Sequence, residues 1–197
     1  MEPQRWVGRG EMRWGSGVNI YEERMMGATE GEALGSSPAD ARRKARTYAF
    51  KLLAMADRTV KEVRSKLEGK GFSEDVVDAT VAEMVSLGYL DDAKLAARFA
   101  EKCAEERGIG PTRIRAELLR RGVAGSVVDQ VLSHAFEGEK ESEVALVVAR
   151  TWAERHGVAE LLRSDERCAA RRRLYGFLAR RGFSSEAIER ALRRVLG

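Results

Sequence analysis

A chain of 197 residues with 44% hydrophobic and 34% charged content is long enough for one or two domains with a buried core. No stretch approaches the ~20 apolar residues of a membrane span, and the first residues lack the apolar run of a signal peptide. A cytoplasmic protein without membrane contact is expected, and a formal net charge of +4 permits nucleic-acid contact without demonstrating it. Residues 1–37 come first and are the odd part. Seven glycines between Gly8 and Gly35 break every helical pattern, so a flexible N-terminal extension is expected. Its four basic and six acidic residues give it −2, leaving +6 to the rest of the chain. Trp6 and Trp14 are unusual in a plain tail and could anchor on a partner or on the protein's own surface.

Order is expected from Ser37 and Pro38, a capping residue followed by a proline suited to the first helical position. Beyond them a repeat is visible. Residues 63–72 read VRSKLEGKGF, residues 114–123 read IRAELLRRGV, and residues 174–183 read LYGFLARRGF. Offsets of 51 and 60 superpose the three, and the register continues through Val77, Val128 and Ile188, then Val81, Leu132 and Leu192. Each copy reads as three helices, predicted over 42–56, 59–70 and from 73; over 91–107, 111–121 and 126–136; and over 139–156, 166–181 and 184–196. Thr59 and Glu62 form a possible capping box, and Asp91 and Asp92 suit a helix start. Gly71, Gly122 and Gly182 each close a second helix ahead of Phe72, Val123 or Phe183, the pattern of a left-handed stop backed by an apolar contact. The predicted fold is all-α: tandem three-helix repeats over 38–90, 91–137 and 138–197, forming an elongated array that can curve. A single nine-helix globule is the blander alternative.

Chemistry is sparse. His134 and His156 have no metal-ligand spacing, and His156 precedes Gly157, where positive charge suits a helix C-terminus. Cys103 and Cys168 lie far apart on helical segments, so two buried reduced thiols are expected. There is no Walker A sequence and no dinucleotide fingerprint, so no cofactor, metal or catalytic residue is assigned and the chain is not read as an enzyme. What remains is arginine. Residues 91–137 are neutral, eight basic against eight acidic, whereas residues 138–197 carry thirteen basic against nine acidic groups. Arg98, Lys102, Arg113, Arg115, Arg120 and Arg121 in the second unit, and Arg171, Arg172, Arg173, Arg180 and Arg181 in the third, are the candidate contacts to DNA or to an acidic protein face. A solvated face held by pairs such as Glu189 with Arg193 competes with that reading. A helix-turn-helix DNA binder is the alternative function, weakened by the near absence of base-reading Asn and Gln.

The stretch GYLDD at 88–92, followed by GIGPTRIRAELLRRGV at 108–123, resembles the RecX family, regulators of the bacterial RecA recombinase. The matching positions are Gly88, Tyr89, Leu90, Asp91, Asp92, Gly110, Pro111, Ile114, Glu117, Leu118 and Gly122. The resemblance covers residues 41–197 and leaves the glycine- and tryptophan-containing extension unmatched. It implies tandem three-helix repeats and a non-enzymatic modulator, expected to be monomeric. Such a protein lies in the groove of the RecA filament on single-stranded DNA and suppresses its ATP hydrolysis and strand exchange.

Overall fold

The computed structural model describes residues 37–157 and 164–197. The expected N-terminal extension, with Trp6 and Trp14, lies outside the described residues, as does most of the predicted 157–165 connection. Among the described residues all regular structure is helical. The helices are α1 (Pro38–Met55), α2 (Val60–Glu68), α3 (Glu74–Ser86), α4 (Asp92–Glu105), α5 (Pro111–Arg120), α6 (Gly125–Ala135), α7 (Lys140–Arg155), α8 (Ser164–Arg180) and α9 (Ser185–Leu196).

Local chemistry explains where they start and stop. The Ser37 hydroxyl accepts from the Asp40 amide at 3.3 Å, so α1 begins at Pro38, four residues ahead of its predicted start. The Thr59–Glu62 capping box forms in full, with bonds of 3.2 and 3.0 Å. Asp91 caps α4 through Oδ1, which accepts from the Lys94 amide at 2.9 Å. At the other ends, Gly71, Gly122 and Gly182 take φ of 83°, 90° and 86°. The amides of Phe72, Val123 and Phe183 then reach back to the carbonyls of Leu67, Leu118 and Leu178. These are the predicted left-handed stops.

Three separate cores follow, one per unit. The first gathers Val63, Leu67, Val77, Met84 and Leu90; the second Leu95, Cys103, Ile114, Leu118 and Val128; the third Leu174, Leu178, Phe183, Ile188 and Leu192. Burying each large side chain contributes roughly 1.5–3 kcal/mol of transfer free energy. In each unit the first and third helices pack most extensively. Corresponding alanines make that approach possible: Ala45 and Ala49 on α1, Ala96 and Ala100 on α4, Ala145 and Ala149 on α7, all fully buried. At i and i+4 they leave one helix face without projecting side chains. The architecture is an all-α array of repeated three-helix units.

Two expectations need correction. Cys103 is buried, and burial pushes its thiol pKa up, but Cys168 is exposed because it falls on the outer side of α8. Glu189 pairs across to Arg171 on α8 instead of along α9 to Arg193, since the neighbouring helix places a guanidinium directly beside it.

Candidate interaction surface and the unit junctions

The units meet at corners. At the first junction the end of α5 docks on the start of α2. The Thr59 hydroxyl donates to the Arg121 carbonyl at 2.7 Å, while Arg121 Nε and Nη2 donate to the two Glu62 carboxylate oxygens at 2.8 and 3.0 Å. Nη2 also reaches the Asp57 carbonyl at 2.9 Å, and the guanidinium lies 5.7 Å from the Phe99 ring centroid. Asp92 Oδ1, the acid expected only to start α4, accepts from the Val60 amide at 2.9 Å and so ties the second unit to the first. Arg98 and Asp57 add an ion pair at 3.1 Å.

Charge responds to this packing. Burial pushes the Glu62 pKa up, but hydrogen bonds from Arg121 and the Thr59 amide, with the Arg121 and Arg58 charges, outweigh it and hold the carboxyl below its usual range. For Asp92 burial dominates, the Val60 bond only partly offsets it, and the Glu62 charge adds to the rise. Beside this corner runs a groove lined by Lys61, Glu62, Ser65, Lys66, Arg120 and Arg121.

The second junction repeats the plan. The end of α8 docks on the start of α5, where the amides of Gly110 and Thr112 donate to the carbonyls of Arg181 and Gly182 at 2.8 and 3.1 Å. Arg181 Nη1 donates to the carbonyls of Arg107 and Gly108 at 2.6 and 3.0 Å, and its guanidinium lies 4.8 Å from the Phe177 ring centroid. A side chain on Gly110 would run into the Gly182 backbone, and one on Gly182 into Arg113. Lys140 and Glu105 add an ion pair between the two units at 3.1 Å.

The arginines singled out from the sequence therefore separate by role. Arg121 and Arg181 are half-buried fasteners, the Arg121 side chain only 15% exposed. Arg115 pairs with Asp129, Arg120 with Glu117, Lys102 with Glu106, and Arg171 with Glu189. Arg113 donates to the Arg180 carbonyl at 3.3 Å. Arg172, Arg173 and Arg180 are exposed, as are Arg193 and Arg194 on α9; among the described residues none of these five has a carboxylate partner. The fastening roles of Arg121 and Arg181 were missed because their partners lie 59 to 74 residues away in the chain. His156 sits where expected, at the end of α7, its ring stacked on Trp152 and Nδ1 2.7 Å from the Trp152 carbonyl.

Tandem three-helix units, fastened corner to corner and carrying an arginine-rich third unit, define an all-α helical-repeat protein. Family profiles match within each unit: RecX first three-helix domain at residues 45–84, second at 91–132 and third at 169–192. Among relatives, the Regulatory protein RecX of Deinococcus radiodurans is 32% identical, aligned over 85% of this chain and 78% of its own. That of Amycolatopsis mediterranei is 35% identical over 74% of this chain and 79% of its own. The crystal structure of RecX from Lactobacillus salivarius shares the fold at a TM-score of 0.69 and 20% identity, covering 80% of this chain and 97% of that one. The chain belongs to the RecX family of regulatory proteins.

Proposed function

We propose that this protein is a non-enzymatic, cytoplasmic regulator that binds the RecA–single-stranded-DNA filament and inhibits its ATPase and recombination activity. Family membership carries the reading: RecX proteins are named as regulators, and this chain matches RecX profiles in all three units. The geometry supports it. A regulator acting on a repetitive polymer gains from repeated units, because linked contacts raise avidity through effective concentration. On this reading the units span 38–90, 91–137 and 138–197 and the protein acts as a monomer. Arg98, Lys102, Arg113, Arg115, Arg120, Arg172, Arg173 and Arg180 supply contacts to the filament or its DNA, while Arg121 and Arg181 act by holding the units in place.

The test is RecA ATP hydrolysis on single-stranded DNA with the purified protein added below and near filament stoichiometry. Turnover is expected to fall, with the filament bound more strongly than naked DNA. Unchanged turnover together with tight binding to a specific duplex would replace this reading with the helix-turn-helix one.

A further inference from the structure

The two junctions follow one plan with one charge reversed. Glu62 is the third residue of α2, and Arg113 is the third residue of α5. Arg121 and Arg181 hold the matching places before Gly122 and Gly182. At the first junction the Arg121 guanidinium lies between the Asp57 carbonyl and both Glu62 oxygens. At the second, Arg181 keeps the equivalent Gly108 carbonyl, and Arg113, which bonds the neighbouring Arg180 carbonyl, holds the helix position that Glu62 holds in the first.

The surroundings deepen the imbalance. Arg155, exposed at the end of α7, adds a third positive charge to those of Arg181 and Arg113, and among the described residues Arg181 bonds backbone carbonyls and makes no ion pair with a carboxylate. Burial, then the Arg113 and Arg155 charges, push the Arg181 pKa down, the opposite of Arg121, which its Glu62 bonds push up. Arg113 uses one donor, on the Arg180 carbonyl, and a guanidinium has five. A half-buried cation flanked by like charges is stabilised by any carboxylate that reaches it, because such hydrogen bonds are charge-assisted.

We propose that the second junction is a receptor for an aspartate or glutamate side chain of a protein partner, which takes the place Glu62 holds in the first junction. The template is the molecule's own: the same arginine, the same backbone carbonyl, and a carboxylate bound by two parallel bonds. The proposal rests on the reading above only in taking the partner to be a protein. Filling the site also links partner binding to the fastening of the third unit, since Arg181 belongs to both.

Arg113→Glu tests this by rebuilding the missing carboxylate within the chain. In the full-length protein it is expected to raise Tm by about 2–4 °C and to weaken binding of a labelled Glu-Gly repeat peptide by about tenfold or more. Arg113→Gln should weaken the peptide comparably without raising Tm, which separates loss of the receptor charge from internal completion. Lys51→Glu, an exposed site on α1 with the same charge change, should move peptide affinity less than about threefold. Three results overturn the proposal: no peptide binding by the wild-type protein at millimolar concentration, an equal loss in Lys51→Glu, or unchanged peptide binding in both Arg113 variants. An oligothymidylate that weakens tenfold while the peptide does not also overturns it, and assigns the site to phosphate. The filament assay keeps the two readings apart. A wild-type protein that leaves RecA turnover unchanged while Arg113→Glu loses the peptide sinks the functional reading and keeps the receptor. A wild-type protein that inhibits RecA, while both Arg113 variants bind the peptide as the wild type does, sinks the receptor and keeps the functional reading.

Discussion

Glu62 shows how much of the junction depends on one ionised group. It accepts twice from Arg121 and once from the Thr59 amide, with its side chain 28% exposed. Replacing it with glutamine keeps the shape and removes the charge. Urea unfolding at pH 7 should show Glu62→Gln less stable by about 1–2 kcal/mol, the range for a partly buried charge-assisted pair. The sign with pH follows from the lowered pKa. A carboxyl held lower in the folded state than in the unfolded one stabilises fully above its ordinary value and loses that contribution as pH falls through the folded one. The gap between wild type and variant should therefore close below about pH 4. Asp92 works in the opposite direction: its raised pKa favours the protonated folded form, so acidification partly relieves the same corner. A gap that is absent at pH 7 would show that Glu62 acts through shape alone, and one that stays constant down to about pH 3, below the ordinary carboxylate range, would show that ionisation of Glu62 is not its source.

At the scale of the helix, α8 separates fastening from presentation along its own length. Leu174 and Leu178 face the third core, Arg171 is engaged with Glu189, Arg181 turns into the junction, and Arg172 and Arg173 stand in solvent. Reversing Arg172 and Arg173 to glutamate should leave the helical circular dichroism unchanged while weakening binding to single-stranded DNA or filament. The slope of log affinity against log salt should flatten by ~0.7 for each phosphate that the variant no longer neutralises. An unchanged slope in a folded variant would make these residues a solvated face. Much of the helix pattern was legible beforehand because its causes are local. A capping box spans four residues, a left-handed glycine stop spans six, and the 51- and 60-residue offsets need only self-comparison. What could not be read was which arginine serves which purpose. Arg172 and Arg181 look alike as letters; only the packing of α8 against α5 makes one a fastener and leaves the other exposed. Asp92 was legible as part of a helix start, but its bond to the Val60 amide crosses 32 residues, and no local pattern announces it.

For the molecule as a whole, inhibition should need all three units. The first two keep their own cores and the complete Glu62–Arg121 junction when the chain is cut after Phe136. Such a fragment lacks α8 with its exposed arginines, and the receptor at Arg113 and Arg181 goes with it. Its helical signal should persist and unfold cooperatively, while suppression of RecA ATP turnover falls by about tenfold or more at equal concentration, as removal of one linked binding unit requires. Full inhibition by the folded fragment would place the whole effect in residues 1–136.

The three cores have no side chain in common. Damage is thereby compartmented, as in a hull divided by bulkheads. Corners of backbone and guanidinium stand between one unit and the next. A unit can loosen, exchange its amide protons and close again while its neighbours remain sealed. If the proposed filament binding holds, such a molecule is expected to let go a third at a time and recover its grip without ever leaving.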